Sequence, residues 1–150
     1  MKWLEFDTAD CPIQKALDVI GEKWTVLILR EAFNGVGRFD QIRDHVGVSD
    51  PVLADRLRKL VASGVLESKS YREEGQRSRR EYRLTDKGVD LYPVMISLLR
   101  WGERHGERPD GSRLEVTHRD CGENVHAVVE CAAGHPIASP VEAEADLASQ

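Results

Sequence analysis

The chain predicts a mainly α (α+β) fold: a winged helix-turn-helix domain, then a long C-terminal dimerisation helix and a small C-terminal β-hairpin tail. Three observations predict it. Three short helical patterns fill residues 12–46, and a glycine turn follows them. In residues 50–63, Leu53, Leu57 and Leu60 stand at i, i+4 and i+7 with Gly64 at i+11, which gathers them on one helical face. Directly afterwards, residues 65–71 and 81–84 read as two strands joined by a polar, glycine-containing loop over 72–80. A helix followed at once by a basic-tipped hairpin is the layout of a reader whose helix enters the major groove and whose loop reaches the flanking backbone.

Each element has its own justification. Residues 1–10 form a short acidic lead in which Trp3 and Phe6 are expected to pack against a neighbour. Pro12 opens the first helix, where a missing N–H costs nothing, and Ile13, Ala16, Leu17 and Ile20 form its expected core stripe before Gly21 stops it. Residues 24–33, WTVLILREAF, are apolar nearly all round, as a helix must be when other elements surround it. This is the expected centre of the domain. Asn34, Gly35 and Gly37 break it, Arg38 is placed to form a one-residue strand against the hairpin, and residues 39–46 form a third helix with Phe39, Ile42 and Val46 inward. Gly47 supplies the turn of the helix-turn-helix. Ser49 or Asp50 caps the next helix and Pro51 fits its first turn, while Gly64 ends it.

Beyond the hairpin, Thr85-Asp86-Lys87 marks the capped start of a helix running to about His105, bent at Pro93. Its Leu91, Met95, Leu98, Leu99 and Trp101 belong to more apolar surface than one small domain covers. A dimer seam is therefore expected, since reading two half-sites about one helical turn apart requires two copies. Packing on its own core alone is the alternative. Residues 107–113 form a turn-rich linker, 114–118 and 125–131 a second hairpin, and 139–150 a loose acidic tail. The expected organisation is 1–106, 107–138 and 139–150.

The net charge of −5 hides an asymmetry. Residues 38–83 hold 11 Lys/Arg and 8 Asp/Glu, and the rest of the chain 10 and 18, so positive charge gathers around the proposed reader. No run approaches the roughly 20 apolar residues that cross a bilayer, and the N-terminus lacks a signal-peptide pattern, so a cytoplasmic location is expected. Three widely spaced cysteines do not suggest a disulfide framework.

The candidate DNA contacts are Ser49, Pro51, Val52, Asp55, Arg56, Arg58 and Lys59 on the helix, and Arg77, Arg79 and Arg80 on the wing. An ordinary solvated helix face is the alternative for Arg56, Arg58 and Lys59, but a hairpin tip has no fold-related need for Arg77 and Arg79. Arg80 could instead turn toward Glu67 or Glu81. Cys11 lies just before a helix, where free amides favour an anion, which makes it the candidate redox-sensing thiol; Asp7 and Asp10 oppose that charge, and a thiol that only packs is the alternative. His118, Cys121, Cys131 and His135 offer four nitrogen and sulfur donors that could enclose zinc, against the alternative of a small hairpin with buried thiols. No G-x-S-x-G, H-E-x-x-H or P-loop is present, and an enzyme is not expected.

Cys11-Pro12-Ile13, Ile20-Gly21-Glu22-Lys23-Trp24-Thr25 and Leu27-Ile28-Leu29-Arg30-Glu31 together resemble the HxlR family of small bacterial winged-helix regulators. So do Arg38-Phe39-Asp40, Val52-Leu53, Arg56-Leu57-Arg58, Gly64-Val65-Leu66, Arg79 with Glu81-Tyr82, and Leu84-Thr85-Asp86-Lys87-Gly88. The resemblance spans roughly residues 11–105. It implies a homodimeric repressor or activator that binds double-stranded DNA, with an electrophile or oxidant as inducer acting through Cys11. The chain departs from the family pattern at Asp50, Pro51 and Asp55, where neutral or basic residues are more usual. In the tail, Gly134 takes the second position of the family's Cys-x2-Cys pair, with His135 one step beyond. A winged-helix protein-interaction module with weak or no DNA binding is the rival reading.

Overall fold

The structure is a computed structural model and describes residues 4, 6–108, 110–111 and 113–146. Trp3 lies outside the described residues. Backbone proximity divides the chain into two compact units, one spanning Phe6–Tyr92 and the other comprising residues 93–150 with 1–5.

In the first unit, α1 (Pro12–Ile20) begins at its proline, with Cys11 as the N-cap residue. None of its residues is fully buried. Ile13 is 70% and Leu17 52% exposed and Ala16 is exposed too, so of the stripe expected to enter the core only Ile20 is even half-buried. Helical periodicity locates an apolar face but is silent on whether the same chain covers it. α2 (Lys23–Phe33) is the centre that its composition predicts, with Ile28 and Leu29 fully buried. It closes with Val36 N–H on the Glu31 carbonyl (3.0 Å) and Gly35 N–H on that of Ala32 (3.1 Å), which satisfies two end carbonyls.

The connector after α2 is part of the wing. Tyr82 N–H donates to the Gly37 carbonyl at 2.9 Å, and Arg38 bridges Glu81, as its expected one-residue strand requires. A Cβ at Gly37 would stand 2.3 Å from the Tyr82 carbonyl oxygen, so only glycine lets the two backbones approach this closely. α3 (Phe39–Val46) buries Ile42 fully, whereas Phe39 and Val46 are only half-buried. Gly47, at φ +75°, makes the left-handed turn into α4 (Asp50–Ala62). Ser49 holds the N-cap position of α4, but its side chain makes no capping bond. Leu53, Leu57 and Leu60 are all fully buried, as their spacing requires.

β1 (Leu66–Tyr71) and β2 (Arg79–Leu84) form an antiparallel ladder from Leu66 opposite Leu84 to Tyr71 opposite Arg79. β2 begins two residues earlier than the sequence pattern suggests. Arg79 and Arg80 are consequently strand residues opposite Tyr71 and Ser70, and the wing loop contracts to 72–78. Polar residues on an edge strand carry no alternating signal, so the ladder's extension was not visible in composition.

The single helix expected over 85–105 is two. α5 (Asp86–Val89) is capped by Thr85, whose Oγ accepts from Gly88 N–H at 3.1 Å and donates to the Gly64 carbonyl at 2.5 Å. After a turn at Asp90 and Leu91 the chain restarts as α6 (Tyr92–His105). Pro93 lacks an N–H and would clash inside a continuous helix, but it fits the first turn of a new one.

In the second unit, the expected hairpin over 114–131 forms no strand ladder. Isolated bridges Thr117↔Asn124 and Glu130↔Pro136 close two tight turns instead. Arg100 of α6 holds the first turn by donating to the Val125 carbonyl at 2.7 Å. Within the stretch expected to be loose, Pro140–Glu142 makes a 3-10 turn with Ser139 as its cap.

Candidate nucleic-acid interface

Burying three leucines turns the opposite side of α4 outward. Ser49, Pro51, Arg58 and Lys59 are exposed there, with Val52 and Asp55 half-buried beside them. Asp55 organises this face. It takes Lys59 at 3.2 Å, Arg58 at 2.5 Å and Arg56 at 2.5 Å. Hydrogen bonding by Lys59, then Arg58 and Arg56, outweighs desolvation and holds its carboxyl below the usual carboxylate range. The acidic residue that would repel phosphate is thus matched by three cations. Arg56 also pairs with Glu22, and its side chain is only 20% exposed. It links α4 to the start of α2, while Arg58 and Lys59 have no hydrogen-bond or ion-pair partner outside α4 among the described residues.

The wing arginines divide by partner. Arg77 lies in the exposed loop with no hydrogen-bond or ion-pair partner among the described residues. Arg79 faces Asp40 of α3 at 3.7 Å, and Arg80 donates to Ser68 Oγ at 3.0 Å rather than reaching Glu67 or Glu81. At the base of the loop Arg38 pairs with Glu73 at 2.6 Å and lies over the Tyr71 ring, 4.6 Å from its centroid. A groove of about 560 Å³ between α3 and the hairpin is lined by Asp40, Arg43, Tyr71, Arg79, Arg80 and Tyr82, together with Phe39. Arg43 pairs with Asp44 at 2.7 Å and with Asp50 at the start of α4 at 3.4 Å.

A buried carboxylate joins the two helices behind the reader. Glu31 of α2, with a side chain 3% exposed, accepts from Arg30 at 2.8 Å and meets His45 Nδ1 of α3 at 2.6 Å. Burial acts to raise its pKa, but the hydrogen bonds from His45 and Arg30 outweigh it, and the carboxyl stays below its ordinary value. Sequence reasoning missed this pair and the Arg38–Glu73 brace. A lone acid within WTVLILREAF was the available signal, because a charge on a helix buried all round requires a partner.

The other predicted positions are separate. Cys11 is half-buried at the start of α1. In the tail, His118 Nδ1 lies 3.3 Å from Cys121 Sγ, and Cys131 Sγ lies 3.5 Å from His135 Nδ1. Backbone N–H groups of the 131–135 turn, first that of His135, hold the Cys131 thiol below its usual pKa. No group of three or more His, Cys, Asp or Glu side chains able to hold a metal occurs among the described residues. The four candidate donors stand as two pairs, His118 with Cys121 in one turn and Cys131 with His135 in the other.

A family model described as HxlR-like helix-turn-helix matches residues 19–110. This chain belongs to that family. It is a transcription regulator built on a helix-turn-helix DNA-binding fold. The uncharacterized HTH-type transcriptional regulator Rv3095 of Mycobacterium tuberculosis is 40% identical over 119 residues, covering 79% of this chain and 74% of the relative. Bacillus subtilis YdeP, also an uncharacterized HTH-type transcriptional regulator, is 32% identical over 114 residues, 75% of this chain and 86% of the relative. Among solved structures, that of PA1607, a proposed transcription factor, superposes with a TM-score of 0.81 at 37% identity, over 93% of this chain and 96% of its own. The redox regulator HypR in its oxidized form gives 0.59 at 30% identity, over 65% and 100%. Among the described residues of this HxlR-like regulator, no helix is long and apolar enough to cross a membrane.

Proposed function

We propose that this regulator acts as a homodimeric, sequence-specific repressor, with α4 in the major groove of its operator and the loop at 72–78 on the flanking backbone. The observation that carries the reading is the division of α4. Three leucines fix one side in the core, and the other presents Arg58 and Lys59 outward, just before a hairpin whose tip carries Arg77, unpartnered among the described residues. Phosphate contacts from these cations supply affinity and register, while base edges supply selectivity. Dimerisation is supported by apolar surface on both units: Ile13 and Leu17 on α1, and Leu98 (49% exposed) and Trp101 (68% exposed) on α6, with Leu91, Met95 and Leu99 half-buried beside them. Fluorescence anisotropy with genomic DNA fragments at two salt concentrations tests the proposal. Selective, salt-sensitive binding is expected, and retention of no fragment would replace it with a protein-interaction module.

An oxidant or electrophile input through Cys11 is part of the proposal. Similarity to a redox regulator supports it, as does the placement of Cys11 as the N-cap residue of α1. Cys11→Ser is expected to abolish release from DNA by a quinone or hypochlorite; unchanged release would remove Cys11 from the mechanism.

A further inference from the structure

The second unit contains a groove of about 810 Å³ beside α6. That lies within the roughly 300–1,000 Å³ typical of small-molecule sites. Four arginines line it against two glutamates, in a chain whose net charge is −5. Folding accounts for two of them. Arg100 holds the Val125 carbonyl and pairs with Glu103 at 2.6 Å, and Arg108 donates to the Glu103 carbonyl. Arg104 and Arg113 have no ion-pair or hydrogen-bond partner among the described residues.

Two guanidinium groups that line one concavity without a partner among the described residues favour a carboxylate, whose oxygens match their planar donors. The wall beside them is aromatic. Trp101 is 68% exposed and lies 5.1 Å from the His105 ring, so it presents an apolar face that is not buried within its own unit. Asn124 and His126 add polar edges to the groove. On the helical wheel of α6, Ser97, Arg100 and Arg104 share one side. Met95, Leu98 and Gly102 fall along the opposite side, and Trp101 lies at the border. Met95 and Leu98 of the proposed dimer seam therefore face away from the groove, and Trp101 borders both.

We infer that this groove binds a small aromatic carboxylate, with its carboxylate on Arg104 and Arg113 and its ring on Trp101. A bare inorganic anion would leave the indole face unused, and a neutral ring would leave both guanidinium groups unmatched. In a DNA-binding regulator such a site is an input, but the binding step itself does not depend on DNA. The test is titration of the full chain with 1-naphthoate by isothermal calorimetry and tryptophan fluorescence, beside the neutral 1-naphthamide and the Arg104→Ala/Arg113→Ala variant. Saturable binding of the acid is expected. The amide, and the acid on the variant, should each bind about ten-fold or more weakly, with the variant's thermal midpoint unchanged. No saturable binding of 1-naphthoate, equal binding of acid and amide, or undiminished binding by the variant would overturn the assignment. Because no DNA is present, failure here leaves the operator-binding proposal standing, and failure of operator binding leaves this one.

Discussion

Replacing Gly37 by alanine should detach the wing from the connector that seats it. The added Cβ would lie 2.3 Å from the Tyr82 carbonyl oxygen and 3.1 Å from Glu81 Cγ. Backbone cannot rotate aside as a side-chain tip can, so β2 must move outward. That motion breaks the 2.9 Å hydrogen bond from Tyr82 N–H to the Gly37 carbonyl and the bridge between Arg38 and Glu81. Overpacking of this kind costs about 1–3 kcal/mol, and the lost hydrogen bond about 1 kcal/mol, for a total of roughly 2–4 kcal/mol. Gly35→Ala is the matched control. Gly35 has φ +77° and nothing within 4 Å of its would-be Cβ, so it incurs only left-handed backbone strain. That strain is about 1–2 kcal/mol, and reduced freedom of the unfolded chain offsets it by about 0.4–1 kcal/mol in either variant. In urea denaturation, with a slope of about 2 kcal/mol per molar, Gly37→Ala should, after that offset, lower the midpoint by roughly 0.5–2 M. It should also weaken DNA binding where it remains folded. If Gly37→Ala costs no more than Gly35→Ala, the steric account of the wing's seating is wrong.

Other outcomes follow from the charges and faces described. Arg58→Ala, Lys59→Ala and Arg77→Ala should each weaken binding to all DNA sequences alike and reduce the slope of log K against log salt by about 0.9; an unchanged slope would take that residue off the phosphates. Because the folded pKa of Glu31 lies below its ordinary 4.5, its stabilisation is complete above that value and is lost as pH falls through the folded one. Glu31→Gln should therefore lower the unfolding midpoint at neutral pH and flatten its decline on acidification, and an acid limb identical to wild type would contradict the coupling to His45 and Arg30. Leu98→Asp should convert the proposed dimer to monomer in sedimentation velocity and weaken operator binding, whereas a wild-type sedimentation coefficient would place the seam elsewhere.

Local order along the chain was sufficient for much of the DNA-binding unit. The spacing of Leu53, Leu57 and Leu60, the turn at Gly47 and the hairpin after Gly64 all have local causes, and all appear in the structure. The tail was less legible, because alternation over 114–131 is equally compatible with a ladder and with two turns closed by single bridges. Ile13 and Leu17 have the periodicity of core residues yet stay exposed, since a pattern of spacing cannot specify what covers a face.

By itself the sequence determined where helices and turns fall, which face of α4 is apolar, where positive charge concentrates and which family the chain joins. Only the tertiary structure decided which of those charges remain available. Arg38 meets Glu73 across 35 residues, Glu31 meets His45 across 14, and Arg56 is drawn to Glu22, while Arg77 is left without a partner among the described residues. Periodicity is a property of neighbours along the chain and can be read there. Charge pairing depends on which distant segments the core brings within a few ångströms, and that is settled only when the leucine face of α4 is buried.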